Sequence, residues 1–138
     1  MSETRPLRPA PVVTALGQAF WAACEEGRLV VQRCTACERL RHYPQDRCPA
    51  CQSDAFDWSE LSGRGQVYSY TVTHRAFHPA WADRVPYVIA TIELEEGVRM
   101  VSELFDVPSS GPEIGQRVEV GFERLEGFGA LPFFRVVD

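Results

Sequence analysis

Four cysteines have the type and spacing of a metal site. Cys34 and Cys37 form one Cys-x-x-Cys pair, Cys48 and Cys51 form a second, and ten residues separate the two pairs. Each pair can supply two thiolates from one tight turn, which predicts a tetrahedral site. An all-thiolate site leaves no position open for water or substrate, so we expect structural Zn²⁺. Four thiolates also suit a rubredoxin-type iron, which is the redox alternative.

Other candidates for chemistry are weaker. Cys24 lies on the apolar face of a predicted helix, where a buried thiol is usually inert. The chain contains no Gly-x-Ser-x-Gly nucleophile motif. The acidic pair Glu95-Glu96 lies in a predicted turn, where solvation explains it. These residues make no positive case for a catalytic site, and we expect that the protein is not itself an enzyme.

Arginines surround the two cysteine pairs, at positions 33, 39, 41 and 47. Four thiolates and one Zn²⁺ carry a formal charge of about −2, which nearby guanidinium groups can balance. The alternative is that part of this group contacts the phosphates of a ligand. Arg33 and Arg41 are the candidates for that role.

The segment Arg75–Val85 is rich in aromatic residues and connects the first two strands of the predicted barrel. In OB-folds this connection borders the usual binding face. It is therefore a candidate recognition loop for a ligand or a protein partner. The alternative is that its aromatic rings cover the end of the barrel. The candidate binding residues are His74, Arg75, Phe77, His78 and Trp81.

An amphipathic helix is predicted before the cysteines, over Thr14–Arg28. Thr14 can cap its start, Gly27 can end it, and the apolar residues recur at helical spacing. Phe20 and Trp21 give it more apolar surface than a small ribbon can cover. The helix therefore packs on a second domain or docks on a partner.

The remainder of the sequence predicts β-strands. A short strand is predicted over Gly27–Arg33, directly before the first cysteine. In five later runs, apolar and polar residues alternate or residues that favour β-strands are frequent. Five strands with little helix predict a small closed barrel such as the OB-fold. The expected fold is mostly β, with a leader and helix at 1–33, a rubredoxin-like zinc ribbon at 34–60 and an OB-fold barrel at 61–138. The five runs are Gly65–His74, Pro86–Leu94, Val98–Phe105, Arg117–Glu123 and Leu131–Val137.

Composition narrows the classes of function. The chain has 138 residues, is 45% hydrophobic and 24% charged, and has a net charge of −5. No apolar run approaches the roughly 20 residues that cross a bilayer, and unpaired thiols suit a reducing compartment. We therefore expect a cytoplasmic protein without a membrane partner. The acidic excess lies entirely in residues 60–138, which disfavours binding to nucleic acid.

The order of helix, ribbon and barrel closely resembles one family. The segments AFWAACEEGRLVVQRC, CPAC, SGRGQVYSYTVTHRAFHP and PYVIATIEL are similar to those of paired rubredoxin-like zinc-ribbon and OB-fold proteins that accompany thiolase-superfamily enzymes. The resemblance extends from about Thr14 to Val137. Glu38 departs from the family pattern, which usually has glycine after the first cysteine pair.

The resemblance implies a function in acyl-CoA metabolism, including lipid and steroid degradation. Family members resemble accessory subunits that bind a thiolase-fold enzyme and complete a shared acyl-CoA site, while the partner performs the reaction. The four cysteines match the family's zinc ligands. Phe20 and Trp21 match its helix signature, and His74, Arg75 and Phe77 match its first barrel strand and loop. The alternatives are a free-standing acyl-CoA carrier or sensor and, less favoured, a nucleic-acid-binding module.

Overall fold

The computed structural model describes residues 8–137 as one α-helix followed by two β-sheets, with a short 3₁₀ helix, Pro79–Trp81, between the first two strands of the second sheet. The first sheet has three antiparallel strands in the order β2-β1-β3, and the second is a closed five-stranded barrel in the order β4-β5-β6-β8-β7. This confirms the predicted mostly β fold with a ribbon and an OB-type barrel. The elements are α1 Gln18–Glu25, β1 Val30–Cys34, β2 Leu40–Arg41, β3 Phe56–Glu60, β4 Arg64–Thr73, β5 Tyr87–Leu94, β6 Arg99–Phe105, β7 Arg117–Leu125 and β8 Gly129–Val136.

Helix α1 is shorter than the predicted span. The Thr14 carbonyl and hydroxyl oxygens both accept from the Gly17 N–H, at 3.0 and 3.1 Å, so Thr14 closes a turn and does not cap the helix. At the other end Gly27 has a φ of +74°, and the N–H of Arg28 reaches back to the Ala23 carbonyl. Glycine adopts this left-handed conformation without steric cost, which is why the helix ends there.

The ribbon sheet begins before the first cysteine. Strand β1 pairs along its full length with β3, from Val30 opposite Glu60 to Cys34 opposite Phe56. The N–H of Leu61 then donates to the Leu29 carbonyl, which continues this contact to the edge of the barrel. The ribbon and the barrel are therefore joined by paired backbone.

One apolar core runs through the helix, the ribbon and the barrel. Phe20 from the helix and Val31 from the ribbon belong to the same buried cluster as Ile92, Leu94 and Phe134 from the barrel. Trp21 packs edge-to-face on Phe128 with ring centroids 5.2 Å apart. The aromatic residues of α1 therefore pack on the barrel, which is the first of the two alternatives predicted for this helix. Phe20 is buried, which corrects its selection as a residue that contacts a partner or acyl-CoA.

The loop after β2 closes the junction between ribbon and barrel. The His42 ring packs against the rings of Phe20 and Tyr43, at 5.3 and 4.2 Å between centroids. The Tyr43 hydroxyl accepts from the N–H of Val101 in β6 at 3.3 Å. Burial lowers the pKa of His42 to about 4, because the charged imidazolium is poorly solvated there.

Truncating the buried ring at the junction tests this packing. We expect Phe20→Ala to lower the free energy of unfolding by about 3 kcal/mol, because it leaves a cavity in the shared core. Phe77→Ala is the matched control, since that ring is 75% exposed and its loss should cost less than about 0.5 kcal/mol. Denaturant titration of both variants gives the comparison. Equal losses would contradict the assignment of Phe20 to the core.

The neutral His42 predicts a loss of stability in acid. The group's ordinary pKa is 6.5 and its folded pKa is about 4. Between these values the unfolded chain takes up a proton that the folded chain does not, so stability falls as the pH drops from 6.5 towards 4 and is unaffected above that window. The upper limit of the loss is about 3 kcal/mol.

The measurement is denaturant unfolding from pH 7 to pH 4, in the wild type and in His42→Phe, with zinc present in equal excess. The variant should lose less stability over this range. Superimposable pH profiles would show that His42 titrates normally.

Candidate functional site

The four cysteine side chains meet at one point. Their sulfur atoms lie within 4.8 Å of one another. The Sγ atoms of Cys34 and Cys51 are 3.6 Å apart, and those of Cys37 and Cys48 are also 3.6 Å apart. A tetrahedron with Zn–S bonds of about 2.3 Å has edges of about 3.8 Å, so the arrangement fits Zn²⁺.

Each cysteine pair forms its own turn, and the two turns have the same backbone geometry. The N–H of Glu38 donates to the Cys34 carbonyl and the N–H of Gln52 donates to the Cys48 carbonyl, each at 2.8 Å. Glu38 and Gln52 have φ angles of +69° and +68°. This left-handed conformation explains why glycine suits the position after a cysteine pair, and a residue with a side chain pays about 1 kcal/mol there.

Backbone donors favour the thiolate form of Cys34 and Cys48, the first cysteine of each pair. The Cys37 N–H lies 3.5 Å from the Cys34 sulfur. This backbone hydrogen bond is the main cause that lowers the pKa of Cys34 to about 6. The backbone N–H of Cys51 likewise lowers the pKa of Cys48. Since the thiolate is the form that binds metal, the turn prepares both residues for coordination.

The two candidate arginines have contacts inside the ribbon. Arg41 is buried, its Nε donates to the Gln32 side-chain oxygen at 2.9 Å, and its Nη2 donates to the Gln45 carbonyl at 3.0 Å. The structure thus places Arg41 in the interior, which corrects its selection as a residue that contacts the phosphates of a ligand. Arg33 forms ion pairs with Glu38 at 2.9 Å and with Asp57 at 3.8 Å.

The aromatic connection between β4 and β5, here called the tip loop (residues 74–86), contains both packed and exposed aromatic side chains. The His78 Nδ1 accepts from the Ala80 N–H at 3.0 Å, and its ring meets the Trp81 ring edge-to-face at 5.9 Å. These two residues therefore hold the loop in shape. Phe77 is mostly exposed, and the Arg75 guanidinium stacks over its ring at 5.1 Å.

Arg75 makes no ion pair with any carboxylate in residues 8–137. The predicted site residues thus separate into four places. The cysteines form the metal centre, and Phe20, Trp21 and Arg41 lie in or against packed interiors. Arg33 pairs with acidic residues on the ribbon. The tip loop brings His74, Arg75, Phe77, His78 and Trp81 into one segment.

Two features were missed by the sequence reasoning. One is a cleft of about 360 Å³ between α1, the loop after β2 and strand β6, walled in part by Trp21, His42 and Tyr43. The other is an open edge of β4 between Tyr68 and Thr73. The run YSYTVT, which has no charged residue, is the only signal that pointed to this edge.

The fifth cysteine lies outside the metal centre. Cys24 is buried in the core, and burial raises the pKa of its thiol to about 12. A thiol of this kind is not a nucleophile at neutral pH. This agrees with its predicted inert character.

Removing one zinc ligand should remove the metal. We expect Cys37→Ala to lose bound zinc and to unfold the ribbon, because metal binding supplies roughly 10–16 kcal/mol to folds of this type. Cys24→Ala is the matched control and should retain one zinc per chain. Metal analysis by mass spectrometry after gel filtration measures both. Stoichiometric zinc in Cys37→Ala would contradict the ligand assignment.

Two family models match consecutive parts of the chain. They are the ChsH2 rubredoxin-like zinc ribbon domain, over residues 21–57, and the ChsH2 C-terminal OB-fold domain, over residues 58–123. Together with the clustered cysteines, the first match assigns the metal as structural zinc.

No helix in residues 8–137 combines the length and apolar character needed to cross a membrane.

The chain aligns with different fractions of the length of three curated relatives. A probable enoyl-CoA hydratase alpha subunit from Thermomonospora curvata is 44% identical over 130 residues, which is 94% of this chain but only 40% of that protein. A DUF35 domain-containing scaffold protein from Methanocaldococcus jannaschii is 37% identical over 73% of this chain and 72% of its own. The benzoylsuccinyl-CoA thiolase subunit BbsA from Thauera aromatica is 29% identical over 80% of this chain and 78% of its own.

A solved structure has the same fold over nearly the whole chain. It is described as the Ltp2-ChsH2(DUF35) aldolase, and one of its chains superimposes with a TM-score of 0.82 at 40% sequence identity. The match covers 91% of this chain and 98% of that chain. With its zinc ribbon, its OB-fold barrel and these relatives, the chain belongs to the DUF35 family of ChsH2-type zinc-ribbon and OB-fold proteins.

Proposed function

We propose that this protein is a non-catalytic accessory subunit that binds a thiolase-superfamily enzyme and assists its acyl-CoA chemistry. The names of the relatives support a role as a subunit or scaffold, and two of the three include a CoA ester. The reaction classes that suit such a partner are thiolysis, Claisen condensation and retro-aldol side-chain cleavage. The proposal assigns no catalytic residue to this chain.

The observation that carries the proposal is the exposed arm formed by β4, β5 and the tip loop. Phe77 and its stacked Arg75 lie at the end of this arm, and Tyr70 and Val72 are exposed along it. An exposed apolar surface with an unpaired cation at its end is typical of a protein interface. The arm extends from a barrel that shares its core with the zinc ribbon, so its position is defined before the partner binds.

The physical contribution of such a subunit is preorganisation. When a rigid arm binds the partner enzyme, it can order the enzyme's loops and close its substrate channel without supplying a reacting group. Arg75 has no carboxylate partner within residues 8–137, so it is available to a phosphate of CoA or to an acidic residue of the enzyme. The loss of this subunit would lower the partner's activity while leaving its catalytic residues intact.

A second candidate function is a free-standing acyl-CoA carrier. The cleft beside α1 favours it, because about 360 Å³ is within the size range of small-molecule sites and its walls are largely aromatic and apolar. Calorimetry with the isolated protein separates the two functions. A carrier binds acyl-CoA alone, whereas a subunit that completes a shared site binds it weakly until the enzyme is present.

The proposal is tested by isolating the tagged protein from its native cells and identifying the retained subunit. We expect a thiolase-superfamily enzyme at a fixed stoichiometry. Phe77→Ala should weaken its binding at least tenfold, because exposed aromatic anchors dominate interfaces. Ile114→Ala is the control, since Ile114 is also strongly exposed but lies outside the arm and outside the cleft. Recovery of the wild-type protein without such an enzyme would count against the proposal.

A further inference from the structure

Only the first part of strand β4 pairs with β7. The two strands pair only from Arg64 to Gln66, and Val67 then bonds with Gln116 and Gly115. Tyr68 lies in a bulge, and the next five residues, Ser69 to Thr73, pair with β5 on one side. On the other side their backbone has no partner among residues 8–137. The barrel therefore leaves one strand edge open.

The register of the strands identifies the open groups. Leu94 donates to Val98 in the β5–β6 hairpin, so the even-numbered residues of β5 direct their backbone groups to β6 and the odd-numbered ones to β4. The odd residues Tyr87, Ile89 and Thr91 lie opposite Thr73, Thr71 and Ser69. The N–H and C=O groups of the two residues between them, at positions 70 and 72, consequently point away from β5.

The side chains of this edge are exposed and uncharged. Tyr68, Tyr70 and Val72 are 47%, 42% and 38% exposed, and the intervening serine and threonine are exposed on the opposite face. Proteins usually protect an open edge with a charge, a proline or a covering loop. The run from Tyr68 to Thr73 has no charge and no proline.

We propose that this edge receives an extended segment of the thiolase-superfamily subunit as an added β-strand. The inference rests on the proposed function and specifies its docking mode. Two outward N–H and C=O pairs, separated by one residue, match the backbone of an extended peptide. The unpaired Arg75 follows the edge by two residues, so the partner segment should be mainly uncharged with an acidic residue near one end.

The first test removes one outward N–H. Val72→Pro deletes the donor at a position where an edge strand tolerates proline. Val72→Ala is the matched control, because it shortens the side chain and retains the N–H. We expect the proline variant to bind the isolated thiolase-superfamily subunit at least tenfold more weakly than the alanine variant. Zinc content and the thermal midpoint of both variants establish that they are folded.

The second test needs no substitution. In hydrogen exchange of the wild-type complex, the amides of Tyr70 and Val72 should exchange at least tenfold more slowly than in the free protein. The Thr71 amide is the internal control, since it already bonds to β5 and should change less.

Three results would overturn the inference. If the complex forms while both amides exchange as in the free protein, the edge is not the docking site and the proposed function stands. If the amides are protected in a homodimer of the free protein, detected by light scattering, the occupant is a second copy. If the wild-type protein binds no thiolase-superfamily subunit, the proposed function fails and the inference fails with it.

Discussion

The coordination of one ion by four thiolates is the constraint on which the rest of the molecule depends. The ribbon sheet has only three short strands, one of them two residues long, and so has little apolar area of its own. Zinc closes the loop between Cys34 and Cys51, and the backbone turns beside each cysteine pair are already shaped for the metal. Since the site uses all four ligands from protein, its contribution is to folding and not to chemistry.

The zinc ribbon determines the position of the arm through a shared core. Strand β1 supplies the buried Val31 to the same cluster that contains Phe20 of the helix and the barrel interior. Glu25 at the end of α1 accepts from the Ala130 N–H at 3.0 Å and pairs with Arg124, which fixes the helix on β8. The three parts therefore pack as one body, and the exposed arm extends from a rigid base. This rigidity is what a subunit acting by preorganisation requires.

Local signals accounted for most of the fold. The five predicted barrel strands are all present within a few residues of their expected bounds, because alternation and turn residues are encoded over short stretches. The helix was predicted too long, since Thr14 has the right type for a cap but uses its oxygen atoms to close a preceding turn. Arg41 was a candidate for phosphate contact because it lies beside the cysteine pairs, but its Nε and Nη2 donate to Gln32 and Gln45 in the interior.

The sequence by itself determined the metal site, the order of the elements and the closed barrel, because cysteine spacing and hydrophobic periodicity are local properties of the chain. Only the tertiary structure decided which surfaces remain free. Phe20 and Phe77 are the same residue type in aromatic segments, but the first is buried against the barrel and the second faces solvent. The open edge of β4 likewise depends on where β7 stops pairing with it. Burial and strand pairing are set by residues distant in sequence, and no local pattern specifies them.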